Sequence, residues 1–366
     1  MKGSIFVGDV LDRLRKLPCR SVQCVVTSPP YWGLRDYGAP GQIGLEKTPE
    51  EYIARMVEVF REVRRVLRGD GTLWVNMGDS YSNNIKWGGS SGGKNYTSAA
   101  GGYQSQRVRR GKDCDPKRGP SALGQPMQVC NGSGLKPKDM VGIPWMLAFA
   151  LRADGWYLRQ DIIWSKPNPM PESVTDRCTK AHEYLFLLAK SQRYYWNKEA
   201  ISEPVAHDPD AARNRWDTKD ALIPGQKPQK RTSRNPTGKW SREDSQASGR
   251  RMTENVAAAR AAGSGHERML GDRRNKRSVW EIATRPYKEP HFATYPEALV
   301  EPCIFAGSKE GDAVLDPFCG SGTTGAVALR YGRNFIGIEL NPVYAALAKK
   351  RVSAEAPLFN EVEVVL

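Results

Sequence analysis

No stretch of this 366-residue chain approaches the ~18 uninterrupted apolar residues that a membrane-spanning helix needs, so no membrane partner is expected. The opening Met1-Lys2-Gly3-Ser4-Ile5 does not begin a secretory signal, which makes a soluble intracellular protein the default. Seven cysteines are present, yet none forms a C-x-x-C pair or a Cys/His cluster at zinc spacing. Reduced thiols and no metal site are expected from that pattern. Apolar residues are also scarce, at 39 % with a mean hydropathy of −0.58, as for a folded body interrupted by polar insertions.

Negative charge is in short supply, leaving the chain at +15, and the imbalance is local. Residues 81–140 hold ten Lys/Arg against three Asp/Glu, and residues 197–290 hold twenty against thirteen. Each segment therefore carries +7, and together they account for 14 of the 15 excess charges. Trp, Tyr, Asn and Gln are interspersed among these cations, a composition suited to a polyanion surface.

Outside the two basic segments, strands and helices alternate. Ser4–Gly8 reads as a strand, Val10–Leu17 as a helix stopped by Pro18, and Val22–Thr27 as a buried strand halted by Pro29-Pro30. Thr48-Pro49-Glu50-Glu51 is a capping box with proline at the first helical position. It opens a helix expected to end at Gly69, before a strand at Thr72–Met77. Further on, a helix is predicted near Val141–Ala153 and strands around Trp156–Trp164 and His182–Ala189. The last unit reads helix (Pro296–Phe305), strand (Ala313–Asp316), glycine turn, helix (Thr323–Tyr331), strand (Asn334–Glu339), helix (Pro342–Arg351). Such alternation implies a mostly parallel sheet covered on both faces, with ligands beyond the carboxyl ends of its strands. Asp9, Ser28, Asp316 and Glu339 all fall at predicted strand ends.

Gly320-Ser321-Gly322-Thr323-Thr324-Gly325 matches G-x-G-x-x-G, and Glu339 follows Gly322 by 17 positions. That is close to the roughly 20 expected of a ribose-binding acid in a dinucleotide fold. On this segment alone an NAD site and a purely structural turn both stay open. Asp316 favours a cationic ligand, because a carboxylate at the strand end would repel a pyrophosphate. A second element, Thr27-Ser28-Pro29-Pro30-Tyr31-Trp32, puts a small polar side chain and two prolines after an apolar strand. By itself it is most simply a rigid turn.

Taken together, the two elements resemble the cofactor loop and catalytic loop of the DNA amino-methyltransferases, which methylate the exocyclic nitrogen of adenine or cytosine using S-adenosylmethionine. Trp280-Glu281-Ile282, His291-Phe292-Ala293-Thr294-Tyr295-Pro296-Glu297 and Ile336-Gly337-Ile338-Glu339 occur in the family's order. The catalytic loop precedes the cofactor loop, as in the beta group. The resemblance covers roughly residues 1–80, 140–200 and 278–352. It implies an α/β fold, a circularly permuted Rossmann-like methyltransferase sheet with helices on both faces, plus basic insertions and a target-recognition region. Residues 1–80 and 139–199 would form the catalytic half, 81–138 a Gly/Ser-rich basic insertion, 200–277 the target-recognition region and 278–366 the cofactor half. Asp316, Phe318, Gly320, Ser321, Gly322, Thr323 and Glu339 would line the cofactor pocket. The His291–Leu299 segment, with His291, Thr294 and Pro296, would close over the methionine end. Asp9 resembles the family's acid near the adenine moiety, and is equally a helix N-cap.

In the resemblance, Ser28, Pro29, Pro30 and Tyr31 are the catalytic residues. An exocyclic amine is a poor nucleophile because its lone pair is delocalised into the ring. Two acceptors, the Ser28 hydroxyl and the Pro29 carbonyl, can favour a pyramidal nitrogen, while Tyr31 stacks on a base extruded from the duplex. Serine at the first position resembles the cytosine-N4 enzymes more than the adenine-N6 enzymes, although both base assignments stay open. An RNA or protein methyltransferase ranks below them, since the loop order differs. Double-stranded DNA is the implied partner and a prokaryotic or phage cytoplasm the implied setting; a homodimer and a cognate restriction endonuclease are left open. Arg213, Arg215, Arg231, Arg234, Arg242, Arg250, Arg251, Arg273 and Arg274 are candidates for phosphates or guanine edges. Arg177, near His182-Glu183-Tyr184, falls in a stretch resembling a family segment beside the base pocket.

Overall fold

The computed structural model describes residues 1–33, 39–82, 135–136, 138–204, 273–284, 295–355 and 361–365. Two compact units emerge, Met1–Ala200 with Arg277–Leu366, and Ile201–Lys276.

The larger unit is a nine-stranded sheet. Its strands are β1 (Lys2–Val7), β2 (Val22–Thr27), β3 (Leu67–Met77), β4 (Tyr157–Ser165), β5 (His182–Ala189), β8 (Val279–Glu281), β9 (Ala313–Asp316), β10 (Asn334–Glu339) and β11 (Glu361–Val365). They lie in the order β11-β1-β10-β9-β2-β3-β5-β4-β8. Every pairing is parallel except those of β5, which runs against both β3 and β4. All six residues of β2 are buried, which is why that strand reads as a continuous apolar run rather than an alternating one.

Three helices, α1 (Val10–Lys16), α2 (Pro49–Val66) and α3 (Ile143–Ala153), join one hydrophobic cluster with Val25, Leu73, Val75 and Leu315. The alternate strand residues Cys24, Val26, Trp74 and Val314 are buried as well. They point to the opposite face, where α4 (Glu297–Gly307), α5 (Thr323–Arg330) and α6 (Pro342–Ser353) pack. In α2 the Thr48 hydroxyl accepts from the Glu51 amide at 3.2 Å, and the Glu51 carboxylate reaches back to the Lys47 amide at 3.0 Å. The expected stop at Gly69 is not used. Leu67 turns extended (ψ 138) at the helix end and starts β3 directly, five residues before the predicted strand.

From the β2/β9 boundary the chain winds outward in both directions, through α2 to β3 on one side and through α5 to β10 on the other. A reversal of this kind opens a crevice at the carboxyl ends of the strands. Val25 pairs with Leu315 there, so segments almost three hundred positions apart end side by side.

In the smaller unit, β6 (Glu203–Pro204) and β7 (Arg273–Arg274) form an antiparallel ribbon. Arg273 Nε donates to Ser202 Oγ at 2.6 Å, and Glu203 faces both Arg274 and Lys276. The remaining arginines considered for DNA contact in that unit, and Cys114 and Cys130, lie outside the described residues. Among the described residues no helix is long and apolar enough to cross a membrane, and no group of His, Cys, Asp or Glu could hold a metal.

Candidate active site

Ser28 directly follows β2, at the mouth of the crevice. Its loop is braced from behind. Tyr52, fully buried in α2, donates to the Pro30 carbonyl at 2.7 Å. Trp32 is 2 % exposed and donates through Nε1 to the Glu46 carbonyl at 2.8 Å, while the Gly33 amide reaches the Gly44 carbonyl at 2.8 Å. Proline fixes φ on top of these contacts, so Ser28 and Tyr31 are presented by a stiff turn.

One cavity runs from this loop to the glycine-rich loop. Ser28, Pro29, Pro30 and Tyr31 line one wall; Phe318, Gly320, Ser321 and Thr323 line the other; Asp9 and Glu339 stand at its far end. Glu339 Oε2 accepts from the Gly320 amide at 2.8 Å and Oε1 from the Asn341 amide at 2.9 Å. Burial pushes its carboxyl above the ordinary range, against the pull of those two amides. Each oxygen still has a lone pair for a ligand hydroxyl. Asp9 caps α1, with Oδ1 accepting from Leu11 (2.9 Å) and Asp12 (3.2 Å), and it lines the cavity as well.

Asp316 departs from expectation. It is 0 % exposed and does not line the cavity. Its carboxylate accepts from the hydroxyls of Thr27 (2.7 Å), Thr324 (2.8 Å) and Tyr295 (2.9 Å) and from the Phe318 amide (3.1 Å). Burial raises its pKa, and these donors only partly offset the effect. The residue ties β2, β9 and the start of α5 together. Gly322 likewise serves packing: a Cβ there would come within 2.9 Å of Val352 and 3.1 Å of Ala348 on α6. Pro296 caps α4 away from the cavity, whereas its neighbour Tyr295 lines it. His291 and Thr294 lie outside the described residues.

Tyr31 lines a second cavity as well, of about 790 Å³, between the ends of β3, β4 and β5. Its hydroxyl donates to Glu183 Oε2 at 2.8 Å, and Asn76 Nδ2 donates to both, at 3.2 Å to the hydroxyl and 3.0 Å to the carboxylate. Lys166 Nζ closes the cluster on Glu183 Oε1 at 2.5 Å. Burial alone would raise the Glu183 pKa, but the Lys166 charge, with the Tyr31 and Asn76 hydrogen bonds, brings it below the ordinary carboxylate range. Burial and that carboxylate push the Tyr31 phenol well up, so it stays a neutral donor. Room for the ring comes from Gly78, where a Cβ would sit 2.9 Å from the Tyr31 ring edge. Lys180 also lines this cavity, its ammonium held at 2.8 Å on the Asp79 carbonyl and its pKa lowered by burial. Arg177 stacks 4.0 Å over Tyr81 and pairs with Glu172 at 2.8 Å on the same wall.

Asn76 and Lys166 carry no short motif, and the sequence reading missed their roles; Tyr295 was flagged only within the His291–Leu299 segment. Strand-end logic could have found Asn76. Glu183 was flagged only within a stretch, because β5 is antiparallel and presents its beginning, not its end, at the crevice.

A crevice joining a glycine-rich loop, a strand-end glutamate and a Ser-Pro-Pro-Tyr turn on a largely parallel sheet is the arrangement of methyltransferases that use a nucleoside cofactor. The particular family follows from comparison with known proteins. Residues 22–350 match the family model described as DNA methylase, N6/N4 type, and the chain belongs to that family, whose methyl donor is S-adenosylmethionine. It is 41 % identical over 352 residues to the type II methyltransferase M.Cfr9I of Citrobacter freundii, covering 96 % of this chain and 88 % of that one. The figures for M.SmaI of Serratia marcescens are 42 % over 348 residues, 95 % and 90 %. The fold is similar to that of a Thermus thermophilus protein solved in complex with S-adenosylmethionine (TM-score 0.53, 23 % identity, all of both chains). It also resembles the cytosine-N4-specific PvuII DNA methyltransferase (TM-score 0.54, 17 % identity, 96 % of this chain and 86 % of that one).

Proposed function

We propose that this chain is a site-specific DNA methyltransferase of restriction–modification type, acting on the exocyclic amine of a base turned out of the duplex, with cytosine N4 as the target. One observation carries the reading: Ser28 and Phe318, 290 positions apart, line a single cavity, and Tyr31 lines both that cavity and the next. The first cavity fits the cofactor, with Glu339 and Asp9 as acceptors for hydroxyl and amino groups and Phe318, Ile338 and Tyr344 as apolar walls. When bound, the cofactor supplies a sulfonium methyl group for in-line transfer.

The chain's own part is to hold the amine. Ser28 Oγ and the Pro29 carbonyl accept hydrogen bonds from its two N–H groups and aim the lone pair, in a geometry the braced loop sets beforehand, and the methylated nitrogen then releases one proton to solvent. Tyr31 stacks on the base with its hydroxyl tethered to Glu183. No cysteine is needed as nucleophile; Cys319, which lines the first cavity, is 4 % exposed and has its thiol pKa pushed well up by burial. Cytosine is favoured by serine in the first loop position. Residues 200–277 are assigned to target recognition from their position in the family order and the local excess of positive charge. The named bacterial relatives support a cytoplasmic bacterial setting.

Single-molecule sequencing of DNA from cells expressing the chain reads the modified base and its site together. N4-methylcytosine at one recurrent sequence is expected. N6-methyladenine would reverse the base assignment, and unmodified DNA would remove the proposal.

A further inference from the structure

Turning a base out of a duplex leaves a gap in the stack, and proteins that unstack bases often fill it with an apolar side chain. At 70 % exposure, Met170 is the most exposed large hydrophobic residue among those described, and it lines the mouth of the second cavity. Lys166, Lys180, Arg177 and Glu183 share the lining with the apolar side chains of Met140 and Ile143. Nothing about folding calls for an unbranched thioether in that place, since exposing it forfeits its burial energy.

The loop that carries it is rigid. Met170 sits between Pro169 and Pro171, with Pro167 two residues before Pro169. At the loop base, the Lys166 amide reaches the Ala181 carbonyl at 2.8 Å. Asn168 is paired with Thr284 in both directions, Nδ2 donating to the Thr284 carbonyl at 3.0 Å and Oδ1 accepting from the Thr284 amide at 2.9 Å. On its far side the loop is braced by the Glu172–Arg177 pair and by Arg177 against Tyr81. A flexible apolar tip on a fixed arm, beside a cavity of about 790 Å³, is what a stack-filling wedge needs.

We propose that Met170 enters the DNA stack as the target base leaves it, holding the duplex open while the base occupies the cavity behind Tyr31. The inference rests on the functional reading above. Its test uses the full-length protein and oligonucleotide duplexes carrying the sequence that the enzyme modifies, the target base being either correctly paired or opposite an abasic site. Met170→Ala is expected to lower single-turnover methylation of the paired duplex roughly ten- to a hundredfold, the value of one buried methionine side chain. Opposite an abasic site, where extrusion is cheap, the variant should match the wild type, and Met170→Leu should stay near the wild type on both. A wild-type rate on paired DNA, or an equal loss on both duplexes, would overturn the role. A wild-type enzyme that methylates neither duplex would instead count against the functional reading.

Discussion

The two cavities that meet at Tyr31 are built by different means. On the cofactor side, the walls come from turns at the carboxyl ends of parallel strands, and backbone amides set the geometry: Gly320 and Asn341 fix Glu339, and Leu11 and Asp12 fix Asp9. On the other side, side chains fix side chains. Tyr31, Asn76, Glu183 and Lys166 come from four separate segments and meet on a single carboxylate. A backbone-built site tolerates change at most positions except the acid itself. A side-chain cluster shares its loss, because each member's orientation depends on the rest.

The largest effect is expected at the junction of the two. Ser28→Ala should lower kcat about a hundredfold, as removal of a group acting in the transition state does, with cofactor and DNA affinities unchanged. Parallel loss of affinity would show that Ser28 belongs to binding instead. Next comes the backbone-built side: Glu339→Ala should weaken cofactor binding by calorimetry roughly ten- to a hundredfold, the worth of charge-assisted hydrogen bonds. Asp316→Asn provides the contrast. Its carboxylate is walled off from the cavity, so the variant should lose thermal stability more than it loses cofactor affinity, and the reverse order would place Asp316 at the ligand after all.

Smaller effects belong to the side-chain cluster. Tyr31→Phe and Glu183→Ala should each cost up to about tenfold in kcat, with the double variant no worse than the weaker single one. Additive losses would dissolve the proposed tether. The smallest effect is a pH effect. Because the folded state holds Glu183 below the ordinary carboxylate range, its contribution to stability is complete above the unfolded value of about 4.3 and is lost as pH falls through the folded value. Glu183→Gln should therefore flatten the acid-unfolding curve below that point while lowering stability at neutral pH, and curves of equal slope would contradict the ion pair.

Much of this was legible before any coordinates, and the divide follows the two cavities. The glycine turn, Glu339 and Ser28 stand in short contiguous motifs at strand ends, where local spacing already dictates the backbone that presents them. Val22–Thr27, Ala313–Asp316 and Asn334–Glu339 could be bounded to the residue for the same reason. The edge strands β8 and β11 escaped notice, each being held in the sheet by one partner distant in sequence. The Gly69 stop failed because Leu67 could join β3 directly, alongside Val22 of β2.

From sequence alone came the alternation of strand and helix, the permuted loop order, the basic segments and the rigid Ser28–Tyr31 turn at a strand end, all of which depend on neighbours along the chain. Tertiary structure decided that Asp316 is buried among three hydroxyl donors, that Glu183 holds Tyr31, and that Met170 stands exposed beside the second cavity. Those facts depend on which side chains meet across strands far apart in sequence, and one reversed strand, β5, was enough to bring Glu183 to the crevice.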